Sequence, residues 1–426
     1  MLFCMVSCAN DDLLAPNDET QSDSSMTNPH EVTIEEARAK LLALLTDLDG
    51  LGSRSSGRNH RNIESSFTAS LSGQISRSDD TLSLDIHIFN FANDEGYAMM
   101  SGDDRLPSLL AITDRGSIND GDVIDNPGVG IFLEGLGPNF NDVDTVIIDD
   151  PNFGKYETYG NEFTIVYSEG GTCPVQWNQG TPYNYFCPKI DGGNAPTGCV
   201  ATAVAQLMAR YQYPESYEGY EFNWEYMTAN KGYYFINTPG AVDVAHLMAA
   251  LGEKKNLNMD YGKSESGAPS VNILRTLYNF NYSSCGQYKP YNQSDVVNDL
   301  KYGYPVLLAG TKYIFIYQLV DVRFVPKINK KEAHQWLAHG LIERRQEVFV
   351  HRKDGTLINR YLRSFWYLLC NWGWGGKDDG YYLSGAFDPK KKPVYPTETT
   401  SRADLDKDLF DNGYSEDITM IWNIRP

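Results

Sequence analysis

The sequence predicts an α+β protein, in which a small α+β unit precedes a larger one. In the larger unit a helix carries a cysteine, and an antiparallel sheet carries a histidine and an asparagine. Three observations predict this. Val200, Val204, Leu207, Met208 and Tyr211 recur at i, i+4, i+7, i+8 and i+11, one apolar stripe of a helix that opens at Cys199. Leu84-Asp85-Ile86-His87-Ile88-Phe89 alternates as a half-buried strand does, and Pro305 to Gly310, Ala333 to Gly340 and Tyr361 to Asn371 read as further strands. Between the two units, residues 151–172 hold few apolar runs and several glycines and tyrosines, the composition of a linker.

The chain has 426 residues, enough for two to three domains with full cores. Hydrophobic residues make up 41%, which suits a globular chain, and 28 tyrosines suit a β-rich one with extended loops. A formal charge of −20 argues against nucleic acid and against anionic membrane surfaces as partners. No apolar run approaches the roughly 18 residues of a transmembrane helix. The seven cysteines stand at 4, 8, 173, 187, 199, 285 and 370 with no Cys-x-x-Cys spacing, which disfavours a structural zinc site. Cys173 and Cys187 flank one loop and could pair in an oxidising space, but sequence does not fix pairing. No metal or organic cofactor is called for.

In chain order, Met5-Val6-Ser7-Cys8 has the form of a lipobox, with Asp11 and Asp12 after it. The expectation is an exported bacterial lipoprotein, lipidated at Cys8 and held at the outer membrane or cell surface, or else secreted. Residues 1–30 would be a signal remnant and polar tether. The small unit is set at 31–155. It starts with a helix from Val32 to Leu48, where Thr33 and Glu36 have the spacing of a capping box. Strands dominate from about 66 to 150, and Asn93-Asp94-Glu95-Gly96 makes a hairpin turn into Tyr97 to Ser101. A linker and maturation region is set at 156–172, and the large unit at 173–426.

In the large unit, Pro214 stops the Cys199 helix, and further helices are expected at Val242 to Leu251, Val271 to Phe280 and Ser294 to Lys301. Lys353-Asp354-Gly355-Thr356 is a hairpin turn, and Gly380 to Leu383 restarts the sheet. Lys390 to about Leu405 reads as a polar surface loop. Cys370 reads as a buried hydrophobe, and His246 and His351 as structural or exposed histidines.

The candidate chemistry starts at Cys199. Pro196-Thr197-Gly198 places this cysteine at a helix N-terminus, where the dipole favours the thiolate a nucleophile needs. Taken alone, Cys199 fits a small core residue equally well. Three stretches tip the balance. The loop Gln176 to Asn184 holds Gln179, whose amide could join the Cys199 N–H at an oxyanion. His334 follows Cys199 by 135 positions, and Asn371-Trp372-Gly373-Trp374-Gly375-Gly376 ends a strand in a glycine-rich turn. Cys, His, Asn is the papain-like order, and a Cys-to-His gap of about 130–150 residues is usual there. Along a strand His334, Trp336 and Ala338 share one face and His339 lies on the other, so one of the two histidines can point at Cys199. Asn371 is suited to orient an imidazole N–H, with Trp372 covering that hydrogen bond from water.

These motifs resemble those of the streptopain-like cysteine peptidases, secreted bacterial proteases with a papain-like fold. The family marks are a W/Y-N-Q-x-x-P-Y-N loop, a T-G-C-V-A-T-A helix start, a G-H-x-x-x-x-D-G strand and an N-W-G-W-G-G turn. Three of the four stand here almost letter for letter, while Ala333 replaces the strand's glycine and His339 its aspartate. The resemblance runs from about residue 30 to the C-terminus. It implies that His334 is the catalytic histidine, that residues 31–155 are an inhibitory prodomain holding the histidine region off line, and that 173–426 is a papain-like peptidase domain. It also implies an endopeptidase acting on polypeptide substrates, with an apolar residue preferred two places before the cut. Two other readings stand beside it. The altered histidine strand would suit a catalytically weak, surface-anchored binding protein that keeps the fold. An acyltransferase on the same triad would need a second acceptor site, and nothing in the sequence supplies one.

Overall fold

The protein is described from a computed structural model, which covers residues 30–51, 61–74, 81–143, 155–167, 173–232, 238–388 and 418–426. The lipobox with Cys8 and the loop from Lys390 lie outside the described residues. Among the described residues no helix is long and apolar enough to cross a membrane.

The fold is α+β, and its frame is one 12-stranded sheet among the described residues. Helix α1 (Ile34–Leu51) opens the chain, and its start is the capping box read from the sequence. Thr33 Oγ1 accepts the Glu36 N–H at 3.3 Å, and Glu36 accepts the Thr33 N–H at 2.9 Å. Thr33→Ala is expected to lower stability by about 1 kcal/mol. Chemical denaturation checks this, and an unchanged midpoint would show that the helix end does not depend on the cap.

Strands β1 (Ile63–Gln74), β2 (Thr81–Phe91), β3 (Tyr97–Ser101) and β4 (Leu109–Thr113) form an antiparallel meander. The turn at 92–96 is the one the sequence marked, with Asn93 at φ 61° and Gly96 at φ 94°. Strand β4 then pairs with Gly380–Leu383, so the meander continues directly into the sheet of the large unit. From there the order is Leu357–Asn371, Arg323–Arg352, Val306–Val320, Thr419–Arg425 and Ser284–Pro290.

Two features depart from the sequence reading. The first is helix α2 (Pro127–Val143), in a region expected to be strands. Its glycines lower helix propensity, and packing explains two of them. A Cβ on Gly128 would stand 2.0 Å from the Trp372 ring, and one on Gly135 would stand 1.7 Å from the Ala386 carbonyl. The second is the stretch set as a linker. Lys155–Tyr167 is a strand paired antiparallel with 341–352 of the long strand. A buried ion pair pins it there: Arg344 lies 2.9 Å from Glu162, and the Ser108 hydroxyl donates to the same carboxylate at 2.7 Å. Residues 168–172 lie outside the described residues.

The core forms two clusters, one on each face of the sheet. Leu41, Phe89, Phe132, Trp336, Trp372 and Tyr382 belong to the cluster that α1 and α2 cover. Val204, Leu207, Met248, Leu277 and Leu337 belong to the one built around helix α3 (Cys199–Tyr211). Trp336 and Leu337 fall in different clusters because successive strand side chains point to opposite faces. Helices Pro239–Gly252, Asn272–Asn279 and Gln293–Lys301 cover the sequence-read helices to within a few residues. The described cysteines are free thiols, so Cys173 and Cys187 are not bridged, and Cys370 is fully buried as expected.

Candidate active site

Helix α3 begins on Gly198 at φ +83°, a conformation L side chains rarely adopt, and a Cβ there would stand 2.6 Å from the Ser266 carbonyl. The Thr197 side chain does not cap the helix: its hydroxyl meets that of Thr202 at 2.9 Å, and Thr202 also donates to the Gly198 carbonyl at 3.0 Å. This small-residue junction presents Cys199 in the first turn of α3, half-buried. Its thiol donates to the Ala333 carbonyl across 4.0 Å, one residue before His334.

The dipole argument pointed to a lowered thiol pKa, and the structure reverses the sign. Burial of the sulfur pushes the Cys199 thiol above its ordinary value, and the N–H groups of Gln335 and Val200 offset this only in part. The desolvation of a thiolate here outweighs the partial charge of one helix end.

His334 and His339 divide as the strand period requires. The His334 ring lies over Trp336, with centroids 6.1 Å apart and planes at 12°, and it is 2% exposed. His339 is on the other face, where its Nδ1 accepts the Cys173 N–H at 2.9 Å. Burial, with Arg210 nearby, drives the His339 pKa down to about 3, so it is a neutral acceptor. The departure from the family acid therefore sits beside Cys173, near the middle and end of α3, since the Cys173 thiol meets the Gln206 carbonyl at 3.4 Å.

His334 Nε2 meets the Trp372 carbonyl at 3.1 Å. A carbonyl only accepts, so Nε2 carries the proton and Nδ1 is the basic nitrogen. Burial lowers the His334 pKa to about 4, against the raising effect of that carbonyl. Cys199 and His334 therefore approach through the backbone at Ala333 and Gln335, while the imidazole turns towards Trp372.

Asn371 does not meet the imidazole. Its amide donates to the Val175 carbonyl at 2.8 Å and accepts the Gly373 N–H at 3.1 Å, so the asparagine shapes the turn. The oxygen presented to His334 comes from the next residue's main chain. Trp372 is fully buried, packing on Trp336 at 5.2 Å and edge-on to Tyr382 at 5.1 Å. Its ring lies 6.3 Å from the His334 ring, but the Asn371–imidazole hydrogen bond it was expected to cover is not formed.

Gln179 is half-buried, and its carbonyl accepts the Thr197 N–H at 2.9 Å, which lashes its loop to the approach to Cys199. Sequence reasoning missed Gln206, whose Oε1 accepts the Trp177 N–H at 3.1 Å and so holds that loop from behind. A glutamine inside the apolar run from Val200 to Met208 was the available signal. It also missed Asp379, whose Oδ1 accepts the Trp372 N–H at 2.9 Å. His246 is sandwiched between Phe186 and Tyr220, each at 4.1 Å, which gives it a packing role.

The N-terminal half closes over this turn. Gly128 of α2 is seated on the Trp372 ring, and Asn126 donates to the Asp378 carboxylate at 3.1 Å. Lys377 pairs with Asp125 at 2.8 Å, and Arg115 reaches the Gly375 carbonyl at 3.3 Å. A cavity of about 720 Å³ lies at this junction, lined among others by Arg115, Asp125, Asn178, Trp374 and Lys377.

Comparison with known proteins places the same residues in a family. The Peptidase C10 family matches residues 177–382, a span that holds Cys199, His334 and Asn371. Streptopain of Streptococcus pyogenes serotype M1 is 24% identical over 349 residues, which are 71% of this chain and 75% of streptopain. The thiol protease/hemagglutinin PrtT of Porphyromonas gingivalis is 23% identical over 364 residues, covering 80% of this chain and 37% of that protein. Among solved structures, a prointerpain A fragment of Prevotella intermedia superposes over 84% of this chain and 99% of its own, at 21% identity and a TM-score of 0.47. Active interpain A of the same organism covers 65% of this chain and 98% of its own, at 21% identity and a TM-score of 0.37. Residues 177–382 therefore match the Peptidase C10 family, and the chain is similar to the streptopain-like cysteine peptidases.

Proposed function

We propose that the chain is a cysteine endopeptidase made as a self-inhibited zymogen, exported and anchored by lipid at Cys8, that hydrolyses polypeptide substrates. Cys199 is the nucleophile and His334 its acid–base partner. The thiol proton passes to His334 Nδ1 as Sγ attacks the peptide carbonyl. The Cys199 N–H and the Gln179 amide hold the oxyanion, each donor being worth a few kcal/mol, about 3, in comparable sites. The imidazolium then protonates the leaving amine, and water releases the acyl group from sulfur. Asn371 holds the turn that supplies the Trp372 carbonyl and the Trp372 cover.

The observation that carries the zymogen reading is the covered state itself. Cys199 donates to the Ala333 carbonyl instead of to the imidazole, while Gly128 and Asn126 press the Trp372–Asp379 turn onto His334. Raised thiol and lowered imidazole describe a neutral, unengaged pair. Removing residues 31–155 would uncover the Trp372 turn, return water towards the His334 ring beneath it and favour the imidazolium. The alternative of an inactive binding protein was motivated by the altered histidine strand. His339, however, bonds the Cys173 N–H on the strand face opposite the His334 ring, so that change does not touch the imidazole.

The test is self-processing. Residues 11–426, as wild type and as Cys199→Ala, are incubated in mild reductant and followed by intact mass. The wild type alone is expected to trim itself to a fragment starting between about 151 and 175. Hydrolysis of an unfolded protein that persists in the Cys199→Ala chain would overturn the assignment. So would a wild type that neither trims nor labels at Cys199 with a thiol-reactive peptide.

A further inference from the structure

The Trp372 carbonyl holds the His334 proton, so what fixes that carbonyl bears on the site. Trp372 is gripped at its backbone N–H, in the peptide preceding the one that carries this carbonyl, by a carboxylate. Asp379 Oδ1 accepts the Trp372 N–H at 2.9 Å, and Asp379 is 4% exposed. The Trp372 ring is gripped as well, its Nε1 donating to the Asp378 carbonyl at 3.0 Å. Asp379 is itself fixed, because its carbonyl accepts the Asp114 N–H at 2.8 Å and its strand begins at Gly380. A Cβ at Gly380 would stand 2.2 Å from the Ile112 carbonyl, so Asp379 sits where the chain is pressed against β4.

A carboxylate is a costly way to bind one backbone N–H. Burial holds its pKa well above the usual range, with Asp114 and Asp378 adding to the rise and the Trp372 N–H opposing it. Cys173 and Cys370 also feel its charge. Among the described residues no lysine or arginine is paired with it. A group so placed does its work as an acceptor, in either protonation state.

We propose that Asp379 is a positioning residue for the peptidase reaction: it clamps the Trp372 backbone at its N–H, so that the carbonyl on the other side of the Trp372 Cα keeps the proton on Nε2 of His334 and leaves Nδ1 free as the base. The chain of contacts is carboxylate, Trp372 N–H, the Trp372 Cα and its carbonyl, imidazole: the N–H and the carbonyl lie on the two peptide planes that meet at that Cα. A turn of the backbone about the Trp372 Cα would release Nε2–H and let the other tautomer form, and in that tautomer the nitrogen needed by Cys199 carries a proton. The inference rests on the peptidase reading of Cys199 and His334 and deepens it.

The experiment compares Asp379→Asn with Asp379→Ala in the full chain, matured in reductant, with turnover expressed per thiol titrated at Cys199. Asparagine keeps an acceptor oxygen and is expected to stay within about threefold of wild type. Alanine leaves the Trp372 N–H unpartnered and is expected to lose about tenfold or more in kcat, with KM little changed. The acid limb of its pH profile should also move. Nitrogen NMR of labelled histidine in the unprocessed chain reads the tautomer without turnover: Nε2–H in wild type and Asn, a mixture in Ala. Alanine with wild-type kcat and tautomer overturns the proposal, as does asparagine failing as badly as alanine. If wild-type turnover itself survives Cys199→Ala, the peptidase assignment falls and this inference with it. Cys199-dependent turnover that is indifferent to position 379 removes the inference alone.

Discussion

Replacing His334 with alanine is expected to lower kcat/KM for a protein substrate by about 10⁴-fold or more, while Cys199 remains titratable. Removing the acid–base member of such a pair costs about as much as removing the nucleophile, because the groups act as one unit. The geometry makes the effect separable from folding. His334 donates one hydrogen bond, to the Trp372 carbonyl, and stacks against Trp336, so glutamine at this position retains bulk and a donor. Both variants should lose turnover, and the glutamine variant should melt close to wild type. The same substitutions at His339 are expected to leave turnover within an order of magnitude, since His339 bonds the Cys173 N–H on the opposite face. Peptide-bond hydrolysis by purified, matured protein measures both. If His339→Gln were the inactive one, the face assignment of the two histidines would be wrong.

How much of this site could be read in the sequence follows from which interactions are local. The α3 stripe, the capping box at Thr33 and Glu36 and the alternation of His334 and His339 each depend on spacing within a few residues, and each appears as read. Helix α2 was not legible, because its glycines argue locally for a loop. Two of them, Gly128 and Gly135, are required by Trp372 and Ala386, more than 200 positions away. Tertiary contact overrode propensity there. The strand Lys155–Tyr167 was missed for a related reason. Its polar, tyrosine-rich face is stabilised by Glu162 meeting Arg344 across the sheet, and no local pattern announces that partner.

The residue types of the candidate site were legible in the sequence, and their partners and charge states were not. The order Cys199, His334, Asn371 named the region, but the imidazole partner is a main-chain carbonyl, which no side-chain pattern encodes. The helix N-terminus suggested a thiolate. Burial of the sulfur, in the core cluster around α3 and the sheet, decided for the thiol. Asp379 was missed in the sequence, and the 2.9 Å contact to Trp372 is what gives it a part.

The covered state should also be acid-sensitive through His334. Its pKa is lowered by burial to about 4, against an ordinary 6.5, so between those values the unfolded or uncovered chain binds a proton that the covered one does not. The stabilisation is fully present above about pH 6.5 and is lost as pH falls towards 4. A shift of this size corresponds to about 3 kcal/mol at most. His339, lowered to about 3, acts in the same direction over a wider window. Asp378 and Asp379 act oppositely: their raised pKa values give stability at low pH that is lost as pH rises through the folded values. The summed curve is therefore a composite, and His334 must be isolated by difference. Unfolding free energies of wild type and His334→Gln, measured at pH 7 and pH 4 in the Cys199→Ala background to prevent trimming, supply it. Wild type is expected to lose about 2–3 kcal/mol more than the glutamine chain over that interval. Equal losses would mean that His334 is not held neutral beneath Trp372. A proton taken up by His334 is accommodated most easily where water can reach the ring, so acid favours the arrangement in which Gly128 has left Trp372. Uncovering and charging of the imidazole are then one coupled step.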